Sequence, residues 1–366
     1  MSRLTWLLTF LFVVGLPFGA KFFSSADVSY LFSFPPDFGH VDHLPFRSQL
    51  TALVLSCLAV LPILWLLFRR KDRIYRHNLV LERRHFPKWG YLGYALLGIS
   101  WVIAWTRLPS FSGIQIYTFT PLWLGFIVVV NAHVHQRSNT APLYKSPSKF
   151  AGLFLLSALF WWGFEFLNRF TENWIYTGVE GLSASHYYIH GSICFSTVLP
   201  AVYSVFRWLH SHNPLHRTFY IGPRLGLLRS RGVGLVFLVV GLVGMAGVGL
   251  WPQFSYPFLW LGPVCIYGGL QLLFGKTSGI SSWARGDWRW VALWGLSGLI
   301  CGFFWELWNF YSQLKWEYQV SFFNGWPIFE MPLLGYLGYL PFGIFCGLVT
   351  QLIFQKRAGI EFSPNE

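Results

Sequence analysis

The sequence predicts an all-α integral membrane protein of about ten transmembrane helices. Three observations predict it: a nearly uncharged composition, ten long apolar runs, and an alternating placement of basic residues between those runs. Of 366 residues, 54% are hydrophobic and 11% are charged. Soluble domains carry about 25% charged residues, so this chain lacks the polar surface that water requires. Aromatic residues reach 20%, including 20 Trp and 17 Tyr, types that favour the two membrane–water interfaces.

A spanning helix needs about 20 mostly apolar residues. The runs that qualify are 4–20, 49–68, 90–106, 115–132, 150–168, 189–208, 233–251, 256–274, 289–308 and 332–354. Lipid leaves backbone groups no partner outside the segment, so runs this long are helices. With the amino terminus inside, 22 of the 27 basic residues fall in cytoplasmic segments. Only Lys21, Arg47, Arg107, Arg169 and Lys315 fall outside. This split follows the positive-inside rule and puts both termini in the cytoplasm, as in a bacterial-type inner membrane. The first run also has the layout of a secretory signal, but no small-residue site closes it, and an uncleaved helix is expected.

The net charge of +13 is explained by this topology, and no nucleic-acid motif accompanies it; nucleic acid is not an expected partner. The basic stretch Arg69–Lys88 is either a topological anchor or a contact for anionic lipid headgroups. Cys57, Cys194, Cys265, Cys301 and Cys346 lie in apolar runs without a CxxC pair, which fits neither a disulfide framework nor a zinc site. No P-loop, dinucleotide fingerprint, GxSxG or HExxH is present, so no cofactor and no metal is expected.

The chain also repeats itself. Residues 161–168 read WWGFEFLN and 302–309 read GFFWELWN, aligning Glu165 with Glu306 and Asn168 with Asn309 at an offset of 141. The same offset carries Leu199-Pro200 onto Leu340-Pro341. Leu122–Gly125 matches Leu259–Gly262, and Pro109-Ser110-Phe111 matches Pro252-Gln253-Phe254. The expected organisation is two amino-terminal helices with an external loop (1–68), a basic loop (69–89), repeat one (90–210), a second basic loop (211–231), repeat two (232–355) and a tail (356–366). Four helices per unit is even, so the repeats are parallel, related by a pseudo-two-fold axis along the membrane normal.

Ionisable residues inside spans are costly and are functional candidates by default. Glu165 and Glu306 are the two that stand out. Each is followed one turn later by Asn on the same helix face. Gly298, Gly302 and Glu306 form one stripe, matched by Ser157, Trp161 and Glu165, and small residues let helices approach closely. From Trp290 to Glu306 is about 24 Å of helix, which places the acids in the outer part of the bilayer. The loops that follow, 169–188 and 310–330, are rich in rings. We therefore expect an aromatic cavity open to the outer side with both carboxyls at its floor. Glu306, Glu165 and Glu330 are the catalytic candidates. Asn168, Asn309, Trp161, Trp305, Trp316, Trp174 and His190 are the candidates for contact with substrate. His186 and His190 have metal-compatible spacing, but interface histidines are common, so they are not read as a metal site. His133, His135, His210, His212 and His216 read as cytoplasmic loop residues.

A carboxyl group in an apolar cavity suits general acid/base chemistry on a lipophilic substrate, isoprenoid or lipid-linked. The order Trp305-Glu306-x-x-Asn309, Trp316-x-Tyr318, then Glu330 beside a helix start resembles membrane lycopene cyclases over those residues alone. The Pro-Glu-Glu run of those enzymes is absent. The resemblance implies a carboxylic acid that protonates an alkene. Two other functions fit the same architecture: a transporter or lipid flippase, which parallel repeats suit, and a non-catalytic assembly or scaffold protein of the envelope.

Overall fold

The computed structural model describes residues 3–24, 26–69, 84–226, 230–275 and 280–354. Helices form over all ten apolar runs: α1 (Arg3–Phe23), α2 (Ser48–Phe68), α3 (Lys88–Trp105), α4 (Phe119–Ser138), α5 (Pro147–Thr171), α6 (Ala184–Phe195) continuing into α7 (Val198–His210), α8 (Arg231–Leu250), α9 (Phe258–Leu273), α10 (Arg289–Phe310) and α11 (Tyr339–Thr350), the last entered through one 3-10 stretch at Leu333–Gly338. Seven of the described helical segments are long and apolar enough to cross a membrane. The molecule is a multi-pass, all-helical membrane protein with almost no sheet.

Several boundaries move. Helix α4 runs on to Ser138 and carries His133 and His135 inside it, so those residues are helical, because apolar packing of Ala132 and Val134 extends the helix past the first polar residue. His216 was expected in an open loop, yet it is 1% exposed. Its Nε2 lies 2.7 Å from the His210 carbonyl oxygen, within a short helix, Asn213–Tyr220, that folds back under the bundle. Most of the basic stretch Arg69–Lys88 lies outside the described residues.

The bundle is tied at both ends. At one end, β1 (Trp174–Thr177) and β2 (Lys315–Tyr318) pair antiparallel, with Trp174 opposite Tyr318, Ile175 opposite Glu317 and Tyr176 opposite Trp316. At the other, Trp294 of α10 stacks on Phe206 of α7 with ring centres 4.1 Å apart. Nearby, Arg289 is 2% exposed and holds Asp287 in a two-point ion pair, Nε to Oδ1 at 3.0 Å and Nη2 to Oδ2 at 2.8 Å.

The α6–α7 junction leaves backbone groups without helical partners. Ser157 of α5 satisfies two of them, donating to the Phe195 carbonyl at 2.6 Å and accepting from the Leu199 amide at 3.0 Å. At the matching place in α10, Gly298 permits direct backbone contact, since a Cβ there would stand 2.2 Å from the Tyr339 carbonyl oxygen.

Residues 26–47 form a strap over the ladder end. Arg169 Nη1 donates to the Leu31 and Ser33 carbonyls at 2.8 and 2.6 Å. Glu172 accepts from the Gly39 and His40 amides at 2.9 and 3.1 Å. Further along, the Leu44 amide donates to Ser321 Oγ and the Arg47 amide to the Phe322 carbonyl. The strap therefore crosses from the end of α5 to the loop after β2. Helix α2, which follows it, buries only Thr51, and its Trp65 meets Trp288 edge-on with ring centres 5.5 Å apart.

Candidate functional site

A cavity of about 470 Å³ lies beneath the β1–β2 ladder, within the size range of small-molecule sites. Its walls are mainly rings and aliphatic side chains. Trp161, Trp174, Tyr176 and Phe119 come from the first half of the chain, and Trp260, Trp305, Trp316, Tyr318 and Tyr339 from the second. The halves interleave to build it. Trp123 of α4 packs on Trp305 of α10 with centres 4.9 Å apart. Trp260 of α9 stacks on Phe164 of α5 at 5.1 Å and on Trp174 at 5.9 Å.

Both acidic side chains stand directly behind this wall. Glu165 is 4% exposed and Glu306 fully buried. Glu165 Oε1 accepts from Trp161 Nε1 at 2.7 Å, Tyr176 OH at 2.7 Å and Trp174 Nε1 at 3.2 Å. Glu306 Oε1 accepts from Tyr339 OH at 2.5 Å and Tyr318 OH at 2.8 Å. Trp316 Nε1 donates to the Tyr318 oxygen at 2.8 Å. Glu306 Oε2 makes no hydrogen bond among the described residues. Burial, and after it the adjacent carboxyl, pushes the Tyr176 and Tyr318 hydroxyls well above the usual phenol range, so both stay protonated and can donate.

The carboxyls were expected at the cavity floor. Instead, the residues that hydrogen-bond them line the cavity, because each acid is withdrawn into the helix interface and covered by its own donors. Trp161, Trp174, Trp305, Trp316 and His190 line the cavity. Asn168 and Asn309 do not. Asn168 Nδ2 donates to the Trp174 carbonyl at 2.7 Å, and its Oδ1 accepts from the Asn173 amide at 2.8 Å. Asn309 repeats this with the Trp316 carbonyl at 2.7 Å and the Trp316 amide at 2.9 Å. Both amides turn the chain from helix into strand. They thereby set the position of the Trp-x-Tyr segment that reaches back to each acid.

Glu330 is held by Lys315 Nζ at 2.7 Å, and Lys315 also meets Glu317 at 3.0 Å. Burial opposes the Lys315 charge, but the bonds to these two carboxylates outweigh it and raise its pKa. His190 Nε2 lies 3.7 Å from Cys194 Sγ, and His186 Nε2 lies 3.1 Å from Tyr117 OH. Among the described residues no three His, Cys, Asp or Glu side chains gather as a metal-ligand set.

Tyr339 and Trp260 were not anticipated. They lie inside apolar runs, and only the fold shows that they turn inward. Trp260 has one signal, its match to Trp123 at a shorter offset of 137, and Tyr339 has none, since Val198 stands at its place at 141.

Comparison of the chain with protein-family models, with curated proteins and with solved structures returns no match in any of the three.

Proposed function

We propose that this chain is a membrane-embedded enzyme or binding protein for a lipophilic molecule, isoprenoid or lipid-linked, held in the aromatic cavity. The observation that carries the reading is the cavity itself: one ligand-sized hollow whose ring walls come from both halves and hydrogen-bond two buried acids. Such a hollow offers extended apolar contact to a hydrocarbon chain. Its few polar groups, phenols backed by carboxyls, suit proton exchange with an oxygen or a double bond.

The reading includes ten spans, both termini in the cytoplasm on the 22-to-5 charge split, and an internal duplication. The register of the ladder supports the duplication. Trp174 pairs with Tyr318 and Tyr176 with Trp316, so the two Trp-x-Tyr segments meet by exchanging equivalent residues, as surfaces related by a two-fold axis do. The aromatic packing has the same symmetry, Trp123 on Trp305 and Trp260 on Phe164.

Transport by rocking of two halves is less well supported, because the ladder joins them at one end and the Phe206–Trp294 stack joins them at the other.

The test is the lipid extract of a strain lacking the gene. A precursor that accumulates, is cleared by the wild-type chain and is not cleared by Glu306→Gln supports the enzyme. Unchanged lipids together with protein-dependent flux of a lipid in proteoliposomes would establish the transporter instead. Loss of a partner complex without either change would establish the scaffold.

A further inference from the structure

The two acids occupy matching places but are held by chemically different donors. Glu165 Oε1 takes two indole N–H groups and one phenol. An indole nitrogen only donates, so it cannot pass a proton onward, and of the three donors only Tyr176, which also lines the cavity, could do so. Glu306 Oε1 takes two phenols, each of which both donates and accepts, and both phenols line the cavity. The difference has a steric origin. At the offset of 141, Trp161 stands where Gly302 stands in the second half, and Val198 stands where Tyr339 stands. In the first half the large ring comes from α5. In the second it comes from α11 and lies over Gly302, whose Cβ would meet the Tyr339 ring at 2.3 Å.

We propose that Tyr339 and Glu306 form the proton-exchanging pair of the cavity, acting on a lipophilic molecule that carries a hydroxyl or carbonyl oxygen, and that Glu165 is the fixed structural counterpart. The proposal rests on the reading of the cavity as a lipophile site. Tyr339 is the group that touches the ligand. The oxygen of the other phenol, Tyr318, already accepts from Trp316 Nε1. Glu306 acts through Tyr339 and is a positioning and proton-holding residue. When the ligand is a hydroxyl, its O–H bond breaks as its proton passes to the Tyr339 oxygen. The Tyr339 proton passes to Glu306 Oε1 and the O–H electron pair stays on the ligand oxygen, which takes a proton back along the same path, so that the exchange leaves alcohol, phenol and carboxylate unchanged overall. When the ligand is a carbonyl, Tyr339 donates a hydrogen bond to the ligand oxygen while Glu306 holds the proton behind it, and no bond breaks.

The experiment uses the full chain in liposomes with geranylgeraniol, a long isoprenoid alcohol, as probe. Quenching of tryptophan fluorescence reports occupancy, and the infrared difference spectrum with and without probe reports the carboxyl C=O stretch. In wild type, quenching is expected together with a carboxyl band. Glu165→Gln should keep the band and Glu306→Gln should lose it. Tyr339→Phe keeps the ring, so it should still be quenched, with affinity reduced about tenfold at most for one lost hydrogen bond, yet lose the band. Tyr339→Phe decides the matter if Glu306→Gln fails to fold. A band that survives Tyr339→Phe, or one that disappears in Glu165→Gln, overturns this proposal and leaves the lipophile reading standing. No quenching in wild type overturns the lipophile reading and this proposal with it.

Discussion

The Tyr339 ring lies against Gly302 while its hydroxyl donates to Glu306 Oε1 at 2.5 Å. One glycine, one turn before the acid, thus makes room for the side chain that binds the acid.

The first prediction concerns that space. Gly302→Ala sets a methyl group 2.3 Å from a ring that is 9% exposed, and overpacking of this kind costs about 1–3 kcal/mol. Gly163, on the equivalent helix, has open space around its Cβ position. There Gly163→Ala should be neutral or stabilising by up to about 1 kcal/mol, the gain in helix propensity. Thermal unfolding in detergent should separate the two variants, and equal midpoints would refute the packing argument.

The second prediction contrasts the acids. Glu165→Leu leaves three buried or half-buried donors without an acceptor, and Glu306→Leu leaves two. Each orphaned donor costs about 1–3 kcal/mol. Glu165→Leu should therefore be the less stable variant by the same assay, even though Glu306 is the one assigned to the chemistry. The reverse order would show that Glu165 is not the structural member of the pair.

Much of the frame was legible because it depends on composition alone. An apolar run of this length has no option in lipid but helix, so helices formed over every predicted segment. The two acids were legible for the same reason, as charged groups placed where charge is expensive. What escaped were features set by distant contacts. The segments Trp174–Thr177 and Lys315–Tyr318 are each four residues long, and nothing local marks either as a strand. Each follows a helix whose Asn168 or Asn309 side chain bonds the backbone at the turn into the strand. Arg169 read only as an external charge, yet it and Glu172 clamp the strap through backbone groups more than 130 residues away. His216 read as solvated because its neighbours are polar, whereas burial there is decided by how the short helix folds under α7.

The third prediction uses the ladder. Ile175 and Glu317 are paired directly at its centre, and paired residues in an antiparallel ladder have Cα atoms about 4.5–5.5 Å apart, within disulfide range. Ile175→Cys with Glu317→Cys should therefore crosslink under mild oxidation, detected by mass spectrometry of the linked peptides. An enzyme or binding protein that keeps its halves together should retain probe quenching when crosslinked. Loss of function on oxidation, restored by reduction, would instead mean that the ladder must open in the working cycle, as rocking transport requires.

The last prediction is acid lability at the end opposite the ladder. Burial lowers the His216 pKa from 6.5 to about 4; the bond to the His210 carbonyl opposes the shift and Arg289 adds to it, while Asp287 and His212 contribute with opposite signs. A base whose folded pKa is depressed binds more protons when unfolded, so stability rises with pH between the two values. The contribution of His216 is complete above pH 6.5 and is lost as the pH falls through about 4. Thermal midpoints in detergent should decline across that interval. His216→Gln retains a donor for the His210 carbonyl but cannot titrate, and it should flatten the decline. If the variant loses stability with the same slope as wild type, the acid sensitivity belongs to another group, and the buried imidazole is not what couples protonation to folding at that end of the bundle.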